Sequence, residues 1–291
     1  MTYQLQKGDR IVAVAEDDDQ ISLSGRNDYQ IDIASMVKGI ARPNTPERTL
    51  ILGWNQRGTM IVSELDHYVA PGSETVIVSE IAEVAAVLEE AGVSTQNQKL
   101  TIQQGVITNR RLLDSLNIHT FDHIITLSYM DTLEAQDADA RTLIALLHLR
   151  DIADKQGRRF SIVSEMLDVR NRELAEVTRA DDFIVSDKLI SLMLSQISEN
   201  PDLMAVLTDL FDPEGAELYL KPISDYIQPG KPVNFYTVVE AARQRGEIAI
   251  GYRLSAEAND VNKAYGVHIN PSKAQTFTFS DGDRVVVLAE S

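Results

Sequence analysis

The chain has 291 residues, with 44 acidic against 27 basic side chains and a formal net charge of −17. That balance excludes a nucleic-acid phosphate surface, which needs clustered Lys and Arg, and leaves room for divalent cations or basic partners. The lack of cysteine rules out disulfides, thiolate catalysis and Cys-type zinc sites.

The opening Met1–Gly8 has no apolar signal core. Apolar runs such as Leu143–Leu147 fall far short of the ~20 residues of a membrane helix. The expectation is a soluble, cytosolic chain, or the soluble part of something larger. Residues 7–16 read as a polar turn and a β-branched strand, and residues 281–290 repeat the pattern. Gly8-Asp9-Arg10 matches Gly282-Asp283-Arg284, and Ala15-Glu16 matches Ala289-Glu290. The length of the match favours a true repeat over a recurring Gly-Asp turn. The chain then opens with the last strand of one unit and closes with the last strand of the next.

Asp17, Asp18 and Asp19 begin a polar stretch to Glu47 with Pro43 and Pro46, of linker composition, with one short helix over Ile33–Ile40. From Arg48 short apolar strands alternate with helices. Strands are predicted at Thr49–Leu52, Thr75–Ser79, Lys99–Gln103, His123–Ser128, Phe160–Ser164 and Asp182–Ser186. Helices are predicted at Arg57–His67, Ile81–Ala91, Asn109–Leu116, Asp137–Lys155 and Val169–Val177. This rhythm defines an α/β fold, a Rossmann-like doubly wound parallel sheet covered on both faces.

The first strand ends in Gly53-Trp-Asn-Gln-Arg-Gly58, a G-x-N-x-x-G where a dinucleotide-binding turn reads G-x-G-x-x-G. Gly53 and Gly58 keep the tight turn and the close helix packing. Asn55 replaces the glycine that lets backbone approach the pyrophosphate, so weak or absent NAD binding is expected. Glu80, 22 positions beyond Gly58, stands where an acid receives ribose hydroxyls. It leaves an adenosine-containing ligand open, against the alternative of an acid capping the next helix. Gly53, Trp54, Asn55, Gly58 and Glu80 are the candidate cofactor residues. Ser128 and Ser164-Glu165 also fall at strand carboxyl ends, where such sheets bind ligands or simply cap helices.

Asp137–Lys155 and Asp187–Glu199 carry apolar residues on more than one face and predict burial on two sides, one of them by the domain core or by another subunit. Asp202–Phe211 adds a second helix to a helix–turn–helix crossover. A small α+β lobe follows, with strands at Ala216–Lys221 and Glu247–Leu254, a helix at Phe235–Arg245, and a closing hairpin of Gln275–Phe279 and Arg284–Leu288. The five histidines show no metal-ligand spacing, and neither a nucleophile turn nor a Gly-Lys-Ser/Thr phosphate loop occurs. The pattern is that of a binding module without catalysis.

This plan is similar to RCK (TrkA-type) regulatory domains, and several stretches resemble the CASTOR/POLLUX family of ion channels. They are Ile51-Leu-Gly-Trp54, Ala70-Pro-Gly-Ser-Glu74, Leu146-Leu-His-Leu-Arg-Asp-Ile152, Ile162-Val-Ser-Glu-Met-Leu-Asp168, Leu210-Phe-Asp-Pro-Glu-Gly215 and the run Ala242–Leu254. In that family the second glycine of the turn is also lost. The resemblance implies membrane helices upstream, two RCK units per subunit, and homo-oligomeric assembly as a dimer or tetrameric gating ring. On that frame, residues 1–24 are the terminal strand of a preceding unit and 25–47 a linker. Residues 48–199 are the Rossmann-like lobe and 200–291 the crossover helix and C-lobe. Some RCK proteins bind calcium near the join of their lobes. Here that join holds Asp187, Glu214 and Glu217, from the separate segments a Ca²⁺ site needs. The implied function is a cytosolic regulatory domain coupling ligand or ion binding to the gating of a membrane pore. The rivals are a nicotinamide-dependent oxidoreductase and a stand-alone TrkA-like transporter subunit or scaffold.

Overall fold

The computed structural model describes residues 4, 6–15, 25–39, 45–157, 161–171, 182–212, 215–258, 260 and 261–290. They form two compact units, Pro43–Ala205 and the pair of segments Met1–Arg42 and Val206–Ser291.

The first unit is built on a six-stranded parallel sheet of order β3-β2-β1-β4-β5-β6. Its strands are β1 (Arg48–Leu52), β2 (Ser73–Ser79), β3 (Gln98–Gln104), β4 (His123–Thr126), β5 (Ser161–Met166) and β6 (Asp182–Val185). Every expected strand is present, with its ends shifted by up to two residues. β1 lies centrally and reads as a continuous apolar run because both its faces are covered. Leu50 and Leu52 point into one core with Val76, Val78, Ile124, Leu146 and Leu149. Ile51 points to the opposite core with Ile77, Val62, Val84 and Leu88. Helices α1 (Gly58–Tyr68) and α2 (Val84–Glu90) cover that second face. The first is covered by α3 (Arg110–Ser115), whose start Asn109 caps, and α4 (Ala135–Gln156), which ends on left-handed Gly157. β3 is one of the two edge strands, and its polar sequence blunts that edge. Of the helix expected at Val169–Val177, the described residues show a 3-10 turn at Val169–Asn171; residues 172–177 lie outside them.

After β6 come α5 (Ser186–Glu199) and α6 (Leu203–Leu210). Of the two coverings expected for α5, domain core or another subunit, the domain core does not supply one among the described residues. Leu189, Ile190, Leu192 and Leu194 are all exposed, from 49% to 63%. Periodicity locates apolar faces but does not supply the surface that covers them.

The second unit holds an antiparallel sheet of order β10-β9-β12-β7 and a two-stranded ribbon of β11 and β8. These are β7 (Glu217–Pro222), β8 (Pro232–Asn234), β9 (Ile248–Arg253), β10 (Val267–Ile269), β11 (Thr276–Thr278) and β12 (Arg284–Ala289). Helix α7 (Phe235–Arg243), capped by Asn234, buries Phe235, Val238, Ala241 and Ala242 against the sheet. The expected closing hairpin is not formed. β11 pairs with β8, while β12 runs between β7 and β9. Asp283, accepting from the backbone N–H groups of Ser280 (2.7 Å) and Ser255 (2.8 Å), holds the turn that separates the two strands.

The leading copy of the repeat behaves differently from the trailing one. Arg284–Ala289 is a strand with a neighbour on each side, whereas residues 9–15 join no sheet and leave Ile11, Val12 and Val14 exposed. A β-branched run becomes a strand only where ladder partners exist. The segment read as a linker is pinned to this unit over residues 29–39. Asp32 N–H donates to Thr237 Oγ1 (3.1 Å), Val37 N–H to the Tyr226 carbonyl (2.9 Å), and Met36 bridges Ile227. Its expected helix is reduced to a 3-10 turn, Ile33–Ser35, capped by Asp32.

Candidate functional site

In a sheet of this order the connections leave β1 and β4 in opposite directions, opening a crevice beyond their carboxyl ends. Gly53 makes the turn there with φ +89, and its N–H donates to the Val78 carbonyl (2.9 Å). A Cβ at Gly53 would stand 2.2 Å from the Leu127 carbonyl oxygen, so no other residue fits. Trp54 is buried in the core beneath α1, and a Cβ on Gly58 would meet its ring at 2.7 Å. The close helix packing expected of this glycine is therefore contact with the indole.

Asn55 is 1% exposed and ties three elements together. Its Nδ2 donates to the Ser128 carbonyl (2.8 Å) and to Glu165 Oε2 (2.7 Å), and its Oδ1 accepts from Arg57 N–H (2.9 Å). Glu165 ends β5, accepts a second bond on Oε2 from Ser128 N–H (3.1 Å), and pairs through Oε1 with the Arg57 guanidinium. Asp131 accepts from Gln56 N–H (2.6 Å). Donors that would face a diphosphate are thus engaged within the protein, the Asn55 amide, Ser128 N–H and Arg57 guanidinium by Glu165, the Gln56 N–H by Asp131, and the N–H groups of Arg57 and Gly58 by Asn55. Ser128 Oγ, wholly buried on the same crevice wall, has no partner.

Glu80 stands at the end of β2, where the sequence places it, but it does not cap α2. It pairs with Arg141 of α4 (2.6 Å), while its N–H donates to Tyr129 Oη (3.3 Å). Burial pushes the Tyr129 hydroxyl above its ordinary pKa. The structure therefore gathers Gly53, Trp54, Asn55 and Gly58 with Ser128 and Glu165, and holds Glu80 beside Arg141. Arg57, Asp131 and Arg141 escape sequence reasoning. Arg57 occupies an unrestricted position of the fingerprint, and the others matter only through contacts 61 and 75 residues distant.

The metal candidates are less connected. Glu217 is partly buried as the first residue of β7; the Asp187 side chain and Glu214 lie outside the described residues. Among the described residues no group of three or more His, Asp or Glu is placed to hold a metal ion. A second buried acid lies in the other unit. Glu247 accepts from Lys221 (2.9 Å), Arg245 (3.4 Å) and Tyr226 Oη. Burial raises its pKa, but the hydrogen bonds from Tyr226 and Lys221 and the nearby Arg245 charge outweigh it, and the group stays below the ordinary carboxylate range. Tyr226 is pushed up, first by burial and then by Glu247.

The doubly wound parallel sheet, the helices that follow it and the small antiparallel lobe define an α/β fold with a Rossmann-like sheet. A solved structure of the human SLO3 gating ring superposes with a TM-score of 0.55 at 12% identity, covering 84% of this chain and 44% of that one. In sequence the chain is related to the CASTOR/POLLUX ion channels over nearly all its length. It is 32% identical to the probable ion channel POLLUX of Arabidopsis thaliana and 31% identical to the ion channel CASTOR of Lotus japonicus, over 99% of the chain in each case. It spans 38% and 37% of those two proteins. No family model matches the chain. No helix among the described residues is long and apolar enough to cross a membrane.

Proposed function

We propose that this chain is the cytosolic gating-ring region of a CASTOR/POLLUX-like cation channel, a non-enzymatic module that couples ligand or ion binding to the opening of a pore. The observation that carries this reading is the alignment of 99% of the chain with little more than a third of those channels. The remaining length of such a protein is where a pore domain belongs, and that domain is the first partner. A ligand that binds one arrangement of the units better than another shifts the gating equilibrium by that difference in affinity. The second partner is another copy of the chain, in a dimer or tetrameric ring. Support comes from the uncovered leucines of α5. Residues 1–24 are then the terminal strand of a preceding unit, a reading that accounts for a strand sequence with no ladder partner among the described residues.

The ligand is Ca²⁺, with Glu217 among its carboxylates, or an adenosine-containing nucleotide taken at the crevice of Gly53–Gly58 and Glu80. The full-length protein in proteoliposomes tests the function: cation flux should respond to Ca²⁺ or to ADP on the side bearing this region. Absence of flux under every condition, or turnover of NADH by the chain, overturns it. Thermal shifts locate the metal. Calcium should raise the melting temperature more than magnesium, and Glu217→Gln should remove most of the difference.

A further inference from the structure

We propose that the crevice beyond β1 and β4 is an oxyanion site latched shut by the chain's own Glu165 carboxylate. This rests on the reading of that crevice as a ligand site. Three kinds of donor converge on Glu165: the Arg57 guanidinium, the Asn55 amide (2.7 Å) and the Ser128 backbone N–H (3.1 Å). Guanidinium, amide and backbone N–H directed at one anion are the chemistry that holds a phosphate. They stand at the amino end of α1, an 11-residue helix whose dipole favours negative charge.

Two further observations separate a latch from a permanent brace. Ser128 Oγ is fully buried and without a partner, on the residue whose N–H already serves Glu165. A carboxylate has two oxygens, and both are engaged. A phosphoryl group carries another, for which this hydroxyl is the unused donor. Exposure is also asymmetric. The Arg57 side chain is 35% exposed and that of Glu165 only 8%, so an anion arriving from solvent meets the guanidinium first. Displacement frees the end of β5 from the start of α1 and changes how two parts of the sheet are tied together.

The test is calorimetric titration of the whole chain with inorganic phosphate and with ADP. The proteins are wild type, Glu165→Ala and the double variant Arg57→Met/Glu165→Ala. Closing the site internally lowers apparent affinity by the fraction of molecules left open. Glu165→Ala should therefore bind at least about tenfold more tightly than wild type. The double variant should lose the gain, and acetate should compete with both ligands. Tighter ADP than phosphate binding identifies a nucleotide; equal binding identifies a free oxyanion. Equal affinities in wild type and Glu165→Ala overturn the latch while leaving the ligand site standing. No binding by either protein overturns both, and a gain that persists without Arg57 places the anion elsewhere. Where Glu165→Ala is poorly folded, phosphate should raise its melting temperature more than that of wild type. Failure to do so makes Glu165 a brace and overturns the latch.

Discussion

Replacing Asn55 by glycine would write the full G-x-G-x-x-G fingerprint into this chain, and the structure makes a specific statement about the outcome. The substitution removes a charge-assisted bond to Glu165, worth about 1.5–3 kcal/mol, and two neutral bonds to the Ser128 carbonyl and the Arg57 N–H, worth roughly 1 kcal/mol each. The glycine adds about 0.5–1 kcal/mol of backbone entropy lost on folding. Because the three bonds share neighbours they do not simply add, and a net loss of about 4 kcal/mol is expected. For a domain whose whole stability is about 5–15 kcal/mol that is a large fraction, equivalent to a fall in melting temperature of roughly 8–16 °C. Urea unfolding followed by tryptophan fluorescence isolates the effect. The chain has one tryptophan, Trp54, buried in the unit that carries the turn. Tight NADH binding should nevertheless not appear, because Glu165 still holds the Arg57 guanidinium and the Ser128 N–H, and Asp131 the Gln56 N–H, in competition with a diphosphate. A stability change below about 1 kcal/mol would show that these bonds do not hold the turn, and tight NADH binding by Asn55→Gly would show that Glu165 and Asp131 do not keep the diphosphate out.

Other outcomes follow from the same contacts. Gly53→Ala should lower the transition of that unit by roughly 3 kcal/mol or abolish soluble expression, since both φ and the Leu127 carbonyl forbid a Cβ. Arg141→Gln should cost less than ~1 kcal/mol in the same urea experiment, because both members of its pair with Glu80 are substantially solvated. Charged replacements of Leu189 and Met193 should lower the solution mass measured by light scattering; a wild-type chain monomeric at every concentration would remove the self-association proposal. Glu247 has a lowered folded pKa, so its stabilisation is full above its ordinary value of 4.5 and lost as pH falls through the folded one. Tyr226 has a raised folded pKa, so its contribution is full below the ordinary value of 10.0 and lost as pH rises beyond it. Tyr226→Phe and Lys221→Met should flatten the alkaline and acid limbs respectively of a melting temperature against pH curve.

The alternation of short apolar runs with amphipathic stretches was enough to determine the six-stranded parallel sheet, because backbone satisfaction and burial on both faces leave few arrangements for such a pattern. The glycines at 53 and 58 were likewise legible, since each marks a place where a Cβ has no room. Pairing in the small lobe was not. Residues 275–288 suit a hairpin, yet Asp283 holds a turn that sends the two strands to different partners. The repeat at residues 8–15 carries the sequence of a central strand but finds no ladder among the described residues, because strand formation depends on neighbours rather than on composition. The chemistry at the turn was decided at the same level. Asn55 announces in sequence only the loss of a glycine. That its amide reaches Glu165, 110 residues away, emerges only once β1, β4 and β5 lie side by side, because a hydrogen bond depends on positions in space and the chain's order does not fix them.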